Sequence, residues 1–246
     1  MTERVRAGVF FEMPLPLPRG RHDLSRDEVL AAQRERLMIA STELLAQHGY
    51  LSVGIREIAT RAGVSRAAFY ECFQDKQECV FAAHDRFVSV LNARLAASVP
   101  QGADWNLFVR SMLGAYVGAM QEDVTVARAF QVEMDALGRE ARGRRRDALL
   151  QLAELVQAGR ERAFGAELGG QAPSQATYLA VVHAIRQAAC ERLDERPDPD
   201  LLGLVPELTE WVTRMLRPSP GSGEQRADPP PGAEGMEPVE QLLGNT

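Results

Sequence analysis

The chain predicts an all-α protein, with a three-helix helix-turn-helix module at its N-terminal end and a larger helical bundle behind it. Three observations carry this. Apolar residues recur at three- and four-residue spacing from about residue 27 to 216, and no stretch alternates as a half-buried strand does. The run IREIATRAGVSRAAFYECFQDK, Ile55 to Lys76, places two short periodic segments around a glycine corner. Breaks at Pro100-Gln-Gly102, Gly138, Gly165 to Pro173 and Arg196 to Pro199 cut the remainder into helices of ordinary length. With 45% hydrophobic residues, 246 positions supply a substantial core, and the length permits one or two domains.

Residues 1–24, rich in Pro and Arg, read as a flexible arm; the apolar start near Phe10-Phe11 is cut short by Pro14, Pro16 and Pro18. The first helix, Asp27–His48, buries Leu37, Ala40, Leu44 and Leu45 and stops at Gly49. Helices over Ile55–Arg61 and Ser65–Cys72 follow, joined through Ala62-Gly63-Val64. Ala59 is small enough for the two to cross closely, Gly63 can take a positive φ, and Val64 fills the angle between them. Ser65 supplies a hydroxyl to the free amides of the second helix. This is the helix-turn-helix pattern, which a bland αα-corner shares. Six further helices are expected at Asp75–Ser98, Asp104–Gln121, Asp123–Leu137, Arg144–Phe164, Ser174–Leu193 and Pro206–Leu216. The expected division is an arm over 1–24, a DNA-binding module over 25–78, a bundle over 79–217 and a disordered tail over 218–246. The tail has too few apolar groups to offset its ordering entropy.

Gly49-Tyr50, Ile58-Ala59, Ala62-Gly63-Val64-Ser65, Phe69-Tyr70, Phe73 and Lys76, with their flanking helices, make residues 33–90 resemble the N-terminal domain of the TetR family of bacterial transcriptional regulators. The segment PLPRGRHDLSRDEV from Pro16 is similar to a lead-in found in one subgroup of that family. Gly54, Ala68 and Cys72 depart from the residues usual at their places, which touches the identity of the base contacts and not the motif. The resemblance implies a homodimeric, ligand-responsive regulator of double-stranded operator DNA, read as a repressor released by its effector. Ser65, Arg66, Ala67 and Tyr70 would face the groove, and Arg56 and Lys76, the only lysine of the chain, would grip phosphates. Arg19 and Arg21 are candidates for reaching the adjacent minor groove.

Trp105, Phe108, Met112, Tyr116 and Met120 share one face of the fifth helix, and Phe130, Met134, Phe164 and Tyr178 can converge on them. They read either as ordinary core or as a pocket between helices. The resemblance favours the pocket, with a small, largely apolar effector against Phe108, Met112, Tyr116, Phe130 and Met134. It also implies that the last two helices meet their copies in a four-helix dimer seam, through Leu179, Val182, Ile185, Leu208, Trp211 and Val212.

A net charge of −6 leaves no general basic surface, so any DNA affinity has to be local. Arg142, Arg144, Arg145 and Arg146 form the densest positive run, read as a solvated helix start or as an attraction for an acidic effector. His183 reads as a packed histidine. Cys72, Cys79 and Cys190 have no metal or disulfide spacing, and buried, inert thiols are expected. No metal or cofactor is expected. An α-helical enzyme is disfavoured by the lack of ExxH, HExxH, GxSxG or a phosphate-cradling Gly-rich loop. A helix-turn-helix protein acting only through protein partners is a further alternative. With no signal peptide and no bilayer-spanning run, a cytoplasmic, membrane-free location is expected.

Overall fold

The computed structural model of the protein describes residues 4–14, 24–165, 172–195 and 197–218. It is all-α, as expected: α1 (Arg26–Ser52), α2 (Ile55–Ala62), α3 (Arg66–Cys72), α4 (Lys76–Ser98), α5 (Trp105–Glu122), α6 (Val124–Ala127), α7 (Arg139–Phe164), α8 (Gln175–Glu195) and α9 (Val205–Met215). Ser25 opens α1 with a capping box, its hydroxyl accepting from the Glu28 amide while the Glu28 carboxylate returns to the Ser25 amide. Gly49, at φ 71°, breaks the same helix before its last turn, where the sequence places the stop. Asp75, Asp104 and Asp123 cap α4, α5 and α6 through side-chain oxygens.

Helices α1 to α3 close a small core on Leu37, Ile58, Phe69 and Phe73, all buried. Helix α4 leaves this module and runs on into the bundle, where Phe87, Leu91 and Leu95 are buried. Across the bundle α5 packs on α9 and α7 on α8. The single helix expected over Asp123–Leu137 is instead three pieces: α6, a π-helical turn at Arg128–Val132 and a 3₁₀ turn at Glu133–Leu137. That irregular segment packs against α1 and so joins the bundle to the small module.

The arm expected to be flexible over 1–24 is not so where it is described. Residues 4–14 form a strap across the joint between module and bundle. Val5, Phe10 and Phe11 are buried, and the Phe10 ring lies 5.0 Å from that of Phe87. Gly8, at φ 79°, turns the chain so that its amide reaches the Phe11 carbonyl. The strap's polar groups are also met. The Val5 amide donates to the Glu43 carboxylate of α1 (3.1 Å), which also receives Arg61 Nε of α2 (2.7 Å). The Arg6 amide donates to Asp123 (2.7 Å), Thr125 donates to the Arg4 carbonyl, and Arg94 donates to the Val9 carbonyl. Burial lifts the Asp123 carboxyl to about 6, against the pull of the Arg6 and Val126 amides. Composition suggested a flexible arm because residues 1–24 are rich in Pro and Arg, and the partners that bury Val5, Phe10 and Phe11 come from distant α1, α4 and α6. Arg19 to Arg21 and residues 219–246 lie outside the described residues.

Candidate nucleic-acid interface and inner cavity

The turn between α2 and α3 is built as the sequence reads. Gly63 is left-handed (φ 67°, ψ 33°), and its amide and that of Val64 return to carbonyls in the last turn of α2. Gly54 lacks a side chain to cap α2, and the Glu57 carboxylate compensates by accepting the Gly54 amide at 3.1 Å. Ser65 Oγ accepts the Ala68 amide at 3.0 Å. Phe69 is fully buried and fixes the rotation of α3, which leaves Ser65, Arg66, Ala67 and Tyr70 exposed. Arg66 Nη2 donates to Tyr70 Oη at 3.3 Å, one helical turn away, and the Tyr70 ring stands edge-on to Phe69 at 5.6 Å. Arg66 is thus partly pre-ordered on the surface and keeps donors free for a planar acceptor pair such as a guanine edge. Arg56 is exposed at the start of α2.

Lys76 is placed differently from the phosphate-gripping role that the resemblance implies. Its ammonium donates to the carbonyls of Tyr50 (2.8 Å) and Val53 (2.7 Å) and sits 3.8 Å from the centre of the Tyr50 ring. Burial lowers its pKa. Carbonyls at the end of a helix lack intrahelical partners, and a nearby cation satisfies them. Two of its three donors are therefore committed to bracing the end of α1 against the start of α4. The N-terminus of α4 is also occupied by carboxylates: Asp75 accepts the Glu78 amide and Glu78 accepts the Gln74 amide.

Sequence reasoning missed Arg34, which donates to the Cys72 carbonyl at 2.8 Å and lies over the Phe73 ring, closing the C-terminal end of α3. Its signal was a cation on the buried side of α1, legible only once α3 is in place. Burial raises the Cys72 thiol and pushes Cys79 up to about 12, so neither is a ready thiolate at neutral pH.

Inside the bundle Phe108, Met112 and Tyr116 come together as expected, around a cavity of about 50 Å³. Val182, Ile185 and Val212, expected in the dimer seam, are buried in this chain and line the same cavity. Leu179, Leu208 and Trp211 are only half-buried, and Met215 is exposed. The last two helices are apolar on two faces, and only packing shows which face turns inward. Phe130 lies beyond Tyr116, on a second cavity of about 30 Å³, and Met134 is fully buried without lining either one. The π-helical and 3₁₀ turns explain this, because both change the rotation per residue and take the two side chains off the common face an α-helix gives them.

The second cavity also holds His84, Gln131, Arg145 and Arg186. Of the four clustered arginines, Arg142 and Arg146 are exposed and Arg144 lies over the Phe81 ring, while Arg145 turns inward. His183, expected to be packed, is exposed on α8. Among the described residues no group of three or more acidic, histidine or cysteine side chains is arranged to hold a metal ion, and no helix is long and apolar enough to cross a membrane.

The family model for bacterial regulatory proteins of the tetR family matches residues 37–83, the segment from the middle of α1 into α4. Over 100 residues the chain is 32% identical to the HTH-type transcriptional activator FasR of Mycolicibacterium smegmatis, a match covering 41% of this chain and 44% of that protein. The match thus spans less than half the length of that relative. The fold is similar to that of the transcriptional regulator FadR from Bacillus subtilis, solved in complex with stearoyl-CoA: TM-score 0.66, 15% identity, covering 74% of this chain and 98% of that one. It is also similar to the fatty acid degradation regulator FadR from Bacillus halodurans: TM-score 0.64, 18% identity, covering 75% and 94%. The helix-turn-helix module thus matches the tetR family of bacterial regulatory proteins over residues 37–83, and the fold as a whole is similar to that of these regulators.

Proposed function

We propose that the protein binds operator DNA as a homodimer and acts as a repressor released by a small, largely apolar effector. In this reading residues 25–78 dock on DNA, and residues 79–217 hold the effector and the dimer seam. The observation that carries it is the exposed Arg66–Tyr70 pair on a helix capped at both ends, by Ser65 and by Arg34. Phe108, Met112 and Tyr116 supply apolar walls for an effector. The FadR neighbour from Bacillus subtilis was solved with an acyl-CoA, which supports an apolar-tailed ligand here. A ligand that prefers the DNA-free arrangement lowers operator occupancy by mass action.

The test is binding of DNA from the region upstream of the protein's own gene, against scrambled DNA, across a salt series. Arg66→Ala is expected to cost about 1–3 kcal/mol on the operator and to relax preference at one base pair per half-site. Lys76→Ala is expected to weaken all sequences alike and to lower the melting temperature while leaving the salt slope unchanged. If Lys76 grips phosphate instead, the slope falls by about one per half-site. Loss of neither affinity nor preference in Arg66→Ala contradicts the proposed interface.

For the dimer we propose the outward face of α8 and α9, with Leu179, Leu208, Trp211 and Met215. A two-fold pairing there presents two α3 helices to half-sites along one duplex. Trp211→Asp is expected to give monomers by light scattering at unchanged helix content. A mutant that stays dimeric removes this face from consideration.

A further inference from the structure

We propose that the effector is an amphipathic anion, an apolar chain ending in a carboxylate, whose headgroup is taken by Arg145 and Arg186. This rests on the effector reading above and names the chemistry of that site. The two inner cavities are neighbours that share Tyr116 and Leu152 as walls. On one side the walls are apolar, with Phe108, Met112 and Val156. On the other they carry two cations, Arg145 and Arg186, beside the polar side chains of His84 and Gln131. A molecule spanning both has one apolar end and one acidic end.

The charge balance at the polar end favours an anion. Among the described residues Arg145 and Arg186 pair with one carboxylate, Asp135, whose side chain is 57% exposed. Their other acceptors are neutral backbone carbonyls, Phe130 for Arg145 (3.2 Å) and Gln131 for Arg186 (2.5 Å). Arg186 Nε is buried without a hydrogen-bond partner, while His84 Nδ1 lies 3.7 Å from the Asp85 carboxylate. Burial, and then the charge of Arg186, brings Arg145 down to about 10, and the same two arginines help depress His183 nearby. Two mostly buried guanidiniums facing one half-solvated carboxylate leave an uncompensated cation, and a second carboxylate relieves it.

The arrangement also gives the headgroup a route to the DNA module. Asp135 belongs to the 3₁₀ turn Glu133–Leu137, which packs on α1, and the Glu133 carboxylate lies 3.1 Å from where a Gly49 side chain would begin. A ligand carboxylate competes with Asp135 for Arg145 and Arg186 and loosens that turn's hold on the end of α1. At about 50 and 30 Å³ the cavities are far below the roughly 300 Å³ of an ordinary ligand site. Entry therefore parts Tyr116 from Leu152, and the liganded state differs in shape from this one.

The experiment titrates the full chain with decanoate and with methyl decanoate, reading tryptophan fluorescence and thermal shift. Wild type is expected to bind the acid about tenfold or more tighter than the ester, the worth of one charge-assisted contact. Arg186→Gln is expected to abolish that preference while keeping ester binding. Asp135→Asn, which removes the competing carboxylate, is expected to tighten decanoate binding and leave the ester unchanged; it stands as the independent variant if Arg186→Gln does not fold. Equal affinity of wild type for acid and ester, no binding of either, or an acid preference that survives Arg186→Gln in folded protein overturns the proposal. The same preparations are assayed on upstream DNA. Intact DNA binding without an acid preference sinks this inference alone, whereas loss of all DNA binding in wild type sinks the regulator reading.

Discussion

Replacing Phe10 and Phe11 by alanine is expected to destabilise the protein by about 3–5 kcal/mol for each ring. Phe11 is 1% exposed and Phe10 2%, so each truncation leaves a void in the groove that the strap fills. The loss propagates, because the rings anchor the strap whose Val5 and Arg6 amides donate to Glu43 and Asp123. Glu43, itself buried, keeps Arg61 on one oxygen but loses the Val5 amide from the other, and a buried acceptor left without its donor is costly. In a chain of this size 1 kcal/mol moves the melting temperature by about 2–4 °C, so even one ring should give a fall of about 6 °C or more. Thermal unfolding followed by circular dichroism measures this. Deleting residues 1–13 should lower it as far, and an unchanged melting temperature after that deletion would return the segment to the status of a loose arm.

The second large effect is expected at Gly159, in the C-terminal part of α7. A methyl group built there falls within the Phe108 ring, nearest Cζ. Phe108 has little room to retreat, since it stacks on Trp105 at 5.5 Å and walls the inner cavity. Gly→Ala in a helix interior otherwise gains about 1 kcal/mol. Overpacking costs about 1–3 kcal/mol, and the displaced ring has only the small cavity to enter. Gly159→Val is expected to be destabilised by more than that range and to lose response to an effector at the proposed site, because the ring then fills that cavity. A double-mutant cycle with Phe108→Leu checks the cause. The leucine should restore most of the stability lost in Gly159→Ala. If it restores none, the close approach is not what sets the cost.

Much of the helix-turn-helix module was legible because its signals are local. Gly49, Gly63 and the Ser65 cap act within a few residues of themselves, and each ends or starts a helix where the sequence places it. The exposed set Ser65, Arg66, Ala67 and Tyr70 follows from the same periodicity once Phe69 is taken as the buried residue. Lys76 was legible as a cation at the start of a helix, but not as a brace. Its carbonyl partners lie 26 and 23 residues earlier in the chain.

By itself the sequence determined the helical class, the order of the helices and the exposed face of α3. Those depend on periodicity and capping, energies that residues within one or two turns settle among themselves. Tertiary structure decided the rest. It turned Val182, Ile185 and Val212 inward and left Leu208 and Trp211 near the surface, although all five are apolar and lie on the same two helices. It drew Arg145 out of a surface run into a cavity beside Arg186, and it made a core strap of residues that composition marks as an arm. The physical reason is common to all three. Burial energy is set by the area removed from water, and that area exists only after distant helices have met.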